Sequence, residues 1–168
     1  MNEAPLDAFR HSAWATRTIL AACRGLSREQ LAFPRATRGL GSILATCNHL
    51  ILADAGYLSA LTGSAPDWAA HEEETSDLDE LAARAEETAR GWDRLFAEPF
   101  DAERLLILDG GAYEAHAGVV VAQALHHASV HREQICAMLA AAGMKPPDVQ
   151  VWSYAEATGR SRDRRTDR

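Results

Sequence analysis

The residues whose types and spacing say most about chemistry are histidines in the last third of the chain. The stretch HHASVHREQI contains three of them, and two, His127 and His131, are four residues apart. In an α-helix this spacing places both side chains on one face, one turn apart, where two imidazoles can bind the same metal ion. His126 points about 100° away from His127 around such a helix, so we predict that it lies at the rim of the fold.

His49, in the stretch TCNHLILAD, is a third candidate ligand because it lies in the middle of another predicted helix. Along the same face its neighbours Ala45, Ala53 and Gly56 are small, which either leaves space in front of the imidazole or lets two helices approach closely. Three protein ligands and one open position are typical of catalytic zinc sites. The spacing alone leaves both possibilities open, a metal site and ordinary helix packing.

The remaining histidines are weaker candidates. His11 and His71 have polar or charged neighbours, so we predict that both are exposed to solvent. His116 precedes the last long helix and, in a continuous helix, would lie about 16 Å from His127, too far to share an ion.

The sequence offers no obvious general base. Asp54 lies about 140° around its helix from the nearest candidate ligand and is interpreted as a polar contact between helices. Gln123 and Gln134 can give hydrogen bonds to histidine ligands, although polar packing is the simpler explanation of both. Tyr57 and Trp152 are interpreted as core residues, with pocket lining as the alternative.

Composition and charge limit the class of protein. The chain has 168 residues, 47% of them apolar, and a formal net charge of −7. This length and composition predict one domain with a substantial hydrophobic core, over residues 1–159, followed by a basic, disordered tail at 160–168. A negatively charged surface repels the phosphate backbone, so nucleic-acid binding is not expected. The acidic residues 72–74 are predicted to be solvated.

Features of export and membrane insertion are not expected. The N-terminal segment lacks the apolar region of a signal peptide, and no apolar run approaches the roughly 20 residues that span a bilayer. Cys23, Cys47 and Cys136 are far apart among apolar residues, so we interpret them as small buried hydrophobes in a reducing compartment. These observations predict a cytoplasmic protein without membrane contact.

Apolar residues recur every three or four positions in four long segments, which is the pattern of amphipathic helices. Ser42 is expected to cap the second helix, and Ser76 or Asp77 the third. Ser27 and Gln30 predict a capping box at the start of a short turn. The four predicted helices cover residues 4–24, 42–62, 76–97 and 117–142.

The connections complete the predicted fold. Segment 103–115 has a short apolar run, the turn signal DGG and a second short run, which predicts a hairpin or an irregular crossover. Loops are predicted at 33–41 and 62–68, and a short helix capped by Asp148 at 148–159. The fold class is therefore predicted to be all-α: a four-helix bundle with a long crossover connection before the last long helix and a short C-terminal helix.

Three segments of the sequence resemble the DinB/YfiT-like superfamily of helical bundles. GSILATCNHLILADAGYLSALTG (41–63) is similar to the second helix of that superfamily, with its histidine and following Asp. LHHASVHREQICAMLAAAGMKPP (125–147) is similar to its closing pattern of histidine, three residues, histidine, Arg, any residue, Gln and Ile. LDAFRHSAWATRTILAACRGLS (6–27) resembles its first helix. Glu133 stands where many members have Gly, and His126 where many have Asn.

The resemblance implies a four-helix bundle, often dimeric, with a metal site formed by His49, His127 and His131. It implies a divalent ion, Zn²⁺ first, with Ni²⁺, Fe²⁺ or Mn²⁺ as alternatives. Similar members are thiol-dependent transferases or isomerases that use a low-molecular-weight thiol such as bacillithiol or mycothiol. We therefore expect a metal-dependent thiol S-transferase, or a related transferase or hydrolase, that acts on a small-molecule electrophile as a homodimer.

A second function from another class remains open. The bundle would then be a stress-associated metal-binding or dimerisation protein without turnover. An open coordination position beside a cleft favours the enzyme, whereas a closed site favours the structural role. Direct action on DNA, which the name of the superfamily suggests, is disfavoured by the net charge of −7.

Overall fold

Four long helices form a bundle in the computed structural model, which describes residues 3–32 and 41–164. They are α1 (Glu3–Cys23), α3 (Ile43–Thr62), α5 (Leu78–Ala97) and α6 (Ala117–Ala141). Helices α1 and α3 each pack against both α5 and α6, so the cyclic order around the bundle is α1, α5, α3, α6. The all-α bundle predicted from the sequence is confirmed.

The long connection before α6 contains the one sheet found in the described residues. Strand β1 (Leu105–Leu108) pairs antiparallel with β2 (Tyr113–His116). Between the strands Gly110 has a φ of 65°, a left-handed conformation that Gly adopts without steric cost. The hairpin was therefore the correct alternative for this segment. In the described part of the chain there are also three short α-helices: α2 (Arg28–Leu31), α4 (Asp67–Ala70) and α7 (Val151–Ala157).

The predicted helix caps follow from short-range sequence signals, and most of them are confirmed. The Ser42 hydroxyl accepts a hydrogen bond from the Ala45 N–H, and Asp77, not Ser76, caps α5. Ser27 and Gln30 form both hydrogen bonds of the capping box. These bonds satisfy N–H groups that have no partner inside the first helical turn.

Two local predictions were wrong. The loop predicted at 62–68 gives way to α4 from Asp67. The C-terminal helix is shorter than predicted, and Gln150 stands at its N-cap without a side-chain bond. Asp148 accepts the Gln150 N–H at 3.0 Å, so it stabilises the turn before α7 instead of the helix. Residues 33–40 of the other predicted loop lie outside the described residues.

Buried apolar side chains form two clusters, one at each end of the bundle. The first cluster contains both Cys23 and Cys47, which are buried and unbridged, as the sequence predicted. Cys136 packs against the same cluster and is half-buried. Within the described ranges, none of the helices combines the length and apolar character needed to cross a membrane. The second cluster consists of Leu6, Phe9, Leu58, Leu61, Trp92, Phe96, Leu106, Ala117, Val120 and Ala124.

A polar layer separates the two clusters. Arg132 of α6 is 4% exposed and its Nη1 donates to the Ser12 hydroxyl of α1 at 2.8 Å. On the other side of the layer, Trp92 Nε1 donates to Asp54 Oδ1 at 3.1 Å. Burial raises the pKa of Asp54 to about 6, while the Trp92 hydrogen bond and the charge of Arg132 oppose that rise. Asp54 therefore joins α3 to α5, which agrees with its interpretation as an interhelical contact.

Candidate metal centre

The structure brings the three candidate histidines together where α3 packs against α6. His49 Nε2 lies 3.0 Å from His127 Nε2, and His131 Nε2 lies 3.1 Å from His127 Nε2. One ligand nitrogen from each ring lies within 4.8 Å of the other two. The four-residue spacing on α6 and the position of His49 in the middle of α3 therefore place three imidazoles around one point.

These distances suit a divalent metal ion. In a tetrahedral site with Zn–N distances of about 2.0–2.1 Å, neighbouring ligand nitrogens lie about 3.3–3.4 Å apart. The observed separations of 3.0 and 3.1 Å are within a few tenths of an ångström of that value. Small rotations of the imidazole rings are enough to fit such an ion, so the group could hold a divalent metal.

The hydrogen-bonding pattern of the ring nitrogens also favours a cation at this point. His131 Nδ1–H donates to Gln134 Oε1 at 2.9 Å, which leaves the Nε2 lone pair of a neutral His131 facing the site. His127 Nε2 faces both other rings, yet a neutral imidazole nitrogen carries one hydrogen or one lone pair and makes one good hydrogen bond. A shared cation satisfies all three nitrogens at once.

Burial favours the neutral, metal-binding form of two of these imidazoles, those of His49 and His127. Burial lowers the pKa of His49 below its ordinary value. For His127 burial is the largest cause, followed by the charges of His131, His49 and His126, and the pKa falls to about 4. Because metal ions compete with protons for imidazole nitrogen, a lowered pKa leaves these ligands available at neutral pH.

One side of the site opens into a groove of about 440 Å³, the acidic groove, whose lining includes His49, Leu52, Ala69, Glu72 and Glu74. The small residues Ala53 and Gly56 also border it. Of the two alternatives for these small residues, the structure therefore has the open space in front of His49. Glu72 and Glu74 are exposed, as predicted for solvated residues, but they also form one wall of this groove.

The wall that carries these acidic residues is fixed by Asn48, the neighbour of His49, a role that the sequence analysis missed. Its side-chain amide donates to the Thr75 carbonyl at 2.8 Å and accepts the Thr75 N–H at 2.8 Å. Buried Arg84 of α5 donates to the Glu73 carbonyl, and its guanidinium lies 5.1 Å from the centre of the Trp68 ring. Both anchors depend on contacts distant in sequence, so helical periodicity gave no signal for them.

A second groove, of about 780 Å³, lies between α3, α6 and the hairpin. We call it the apolar groove, and its lining includes Gly56, Tyr57, Ile107, Tyr113, Val119 and Gln123. The Tyr57 ring packs edge-on against His127 with 5.5 Å between ring centres, and Gln123 Nε2 donates to the Tyr57 hydroxyl at 3.3 Å. Tyr57 therefore lines this groove, as the alternative interpretation allowed, and it also packs against the second apolar cluster.

The other sequence-predicted residues lie elsewhere. His71, His116 and His126 are exposed, and His116 Nδ1–H donates to the Glu103 carbonyl at 3.0 Å. His11 was predicted to be exposed but is half-buried, because its Nε2–H donates to the Val149 carbonyl at 2.9 Å. Trp152 is 74% exposed, so its interpretation as a core residue was wrong.

The fold and site define a class of protein: an all-α four-helix bundle in which facing histidines of two helices can hold one divalent ion. The family model of the DinB family matches residues 1–166, which is nearly the whole chain. The chain therefore belongs to the DinB family, as the resemblance of its helical segments indicated. A search of curated proteins found no match.

Proposed function

We propose that this protein is a divalent-metal-dependent enzyme that transfers a low-molecular-weight thiol onto a small electrophile. The observation that carries the proposal is the convergence of three histidine Nε2 atoms, separated by 3.0 and 3.1 Å, beside two open grooves. Membership in the DinB family supports a metal-dependent role. The thiol and the transfer chemistry are our extension from the similarity to thiol-dependent members.

His49, His127 and His131 would hold the metal ion, which we propose to be Zn²⁺, while Ni²⁺, Fe²⁺ and Mn²⁺ also accept imidazole ligands. A divalent ion with three neutral ligands lowers the pKa of a thiol or water in its open position. Gln134 orients the His131 ring through the Nδ1–H bond, and such bonds to metal-binding histidines strengthen ligation.

The chain's own residues also act on the substrates. The Tyr57 hydroxyl accepts a hydrogen bond from Gln123, so its proton remains for donation to an oxygen of the substrate. Glu72 and Glu74 beside His49 attract divalent cations to the entrance of the site. In the reaction, the thiol sulfur forms a bond to an electrophilic carbon, the leaving group departs with the bonding electrons, and the thiol proton passes to solvent.

The alternative of a non-catalytic metal-binding module is less well supported. A structural zinc site is closed, with four protein ligands. Here the three histidines are half-buried, and His49 borders a groove of about 440 Å³. The described residues could supply three ligands at this point, and the groove beside His49 offers space for a fourth, non-protein ligand. This arrangement favours turnover, and homodimer formation, which we also propose, is compatible with either role.

The test is metal content and thiol transfer measured on the same samples. We expect about one divalent ion per chain and metal-dependent transfer of bacillithiol, mycothiol or glutathione onto 1-chloro-2,4-dinitrobenzene, with release of chloride. His127→Ala should lose the metal and the activity together, because two ligands bind weakly. The matched control is His126→Ala, which removes the neighbouring exposed histidine and should retain both. Full metal retention in His127→Ala would contradict the metal site, and metal binding without thiol transfer would leave the non-catalytic module.

A further inference from the structure

The apolar groove indicates which class of molecule the protein binds, and this inference rests on the proposed function. The volume of about 780 Å³ falls within the range of small-molecule sites, roughly 300–1,000 Å³. One wall is the hairpin, and the opposite wall is the small-residue face of α3 around Gly56. A Cβ placed on Gly56 would meet no atom within 4 Å, so the space in front of this residue is open.

Large apolar side chains are exposed along this groove. Ile107, Tyr113 and Val119 are 61%, 62% and 58% exposed. Contact of their apolar surfaces with water is energetically unfavourable. Exposed apolar side chains that gather in one concave region mark binding surfaces. Burial of this surface by an apolar molecule would contribute about 25 cal/mol for each Å² removed from water.

The charge of the groove limits the ligand further. Of the side chains that line it in the described part of the chain, Asp109 carries a carboxylate and none is Lys or Arg. An anionic ligand would find no cation to pair with and would meet both Asp109 and a net charge of −7. The groove therefore selects against carboxylates, sulfonates and phosphates.

The groove adjoins the candidate metal centre through Tyr57. Tyr57 lines the groove and its ring contacts His127 with 5.5 Å between ring centres. Ala53 and Gly56 border both this groove and the acidic groove that contains His49. We infer that the apolar groove is the electrophile site and that it takes an uncharged, mainly apolar molecule whose reactive end lies between Tyr57 and the three histidines.

The test compares two fluorescent molecules that differ by one sulfonate. N-phenyl-1-naphthylamine is uncharged, and 1-anilinonaphthalene-8-sulfonate is its anionic counterpart. We expect the uncharged molecule to bind the full chain at least 10-fold more tightly, both with Zn²⁺ and with a chelator. Because the measurement does not need turnover, its failure is distinguishable from a failure of the metal or of thiol transfer.

Two variants on opposite walls locate the binding. Ile107→Asp places a charge inside the groove and should weaken binding of the uncharged molecule at least 10-fold. Leu105→Asp is the matched control, since Leu105 lies on the same strand, is 53% exposed and does not line the groove. Gly56→Phe fills the groove from α3 and should weaken binding similarly, with circular dichroism to confirm the helical fold.

Equal or tighter binding of the sulfonate would overturn the inference. So would unchanged affinity in both Ile107→Asp and Gly56→Phe. If the strand variants instead change the mass of the protein in sedimentation without changing affinity for the uncharged molecule, a second copy of the chain covers this face and the inference is wrong.

Discussion

His131 shows how one hydrogen bond can orient a candidate metal ligand. Its Nδ1–H donates to Gln134 three residues further along α6, so both members of the pair lie on one helix face. The bond directs Nε2 of a neutral ring towards His49 and His127. Without it, the ring could also adopt the other tautomer or rotate away from the site.

Gln134→Leu should therefore weaken metal binding by about 10–100-fold without changing the fold. The measurement is a competition titration against a chromophoric chelator. Gln123→Leu is the control, because Gln123 bonds to Tyr57 and not to a histidine. Equal affinity of wild type and Gln134→Leu would show that this bond does not position the ligand.

At this scale the sequence predicted part of the site. The spacing of His127 and His131 follows from helix geometry. His49 was a third candidate from its position in a predicted helix, but the residues left ordinary helix packing open, and the resemblance to the DinB family implied that it shares the site. Asn48 and Arg84 were not predicted, because their partners at 73 and 75 are fixed by tertiary contacts. A polar residue beside a candidate ligand, such as Asn48, does not alter the apolar periodicity of its helix, so the sequence pattern does not predict its partner.

Two helical glycines lie in different packing environments, one at a tight helix–helix contact and one beside open space. A Cβ on Gly91 of α5 would lie 2.3 Å from Leu58 Cδ2 of α3, so α3 and α5 pack tightly there. Gly56 of α3 faces open space instead. Both glycines lie inside helices, where Ala is intrinsically more favourable by about 1 kcal/mol.

The two Gly→Ala variants should therefore change stability in different ways. Gly56→Ala should raise the free energy of unfolding by about 0.5–1 kcal/mol. Gly91→Ala should gain the same propensity but force buried Leu58 to move, at a cost of about 1–3 kcal/mol. Urea denaturation of the pair isolates the packing effect, and equal shifts in both variants would contradict the tight α3–α5 contact.

The elements were predictable where local chemistry decides them. The caps at Ser27, Ser42 and Asp77 depend on residues two or three positions away, and these signals appear in any sequence window. Helix α4 was missed because its four residues are too few for a periodic pattern, and it is held by Trp68 against Arg84 and Glu87 of α5.

At the scale of the whole molecule, the polar layer between the two apolar clusters affects how stability depends on pH. Asp54 has a raised pKa of about 6, against about 3.9 for an unfolded Asp, so between these values the folded state binds more protons. Its contribution to stability therefore falls as pH rises through this window. His127 acts oppositely: its lowered pKa, about 4 against about 6.5 unfolded, makes stability rise with pH.

Asp54→Asn should remove the fall in stability that Asp54 causes as pH rises from about 4 to 6. In chelator-treated protein the variant should be more stable than wild type at pH 7 by about 1–3 kcal/mol. Because the effect of His127 remains, the free energy of unfolding of the variant should rise with pH between about 4 and 6.5. The measurement is urea denaturation at several pH values. Asp93→Asn is the control, since Asp93 forms an exposed ion pair with Arg10 and should have little effect. Lower stability of Asp54→Asn at pH 7 would contradict the cost of burying this carboxylate.

The candidate metal ligands and the walls of the two grooves come from different parts of the chain. The histidines project from long helices, whereas one wall of each groove comes from a connection: residues 72 and 74 in one case and the hairpin in the other. Substitutions in these connections can alter which molecules enter while the bundle and its three imidazoles stay unchanged. Evolution can therefore vary ligand choice among descendants of this scaffold without rebuilding the centre that would carry out the reaction.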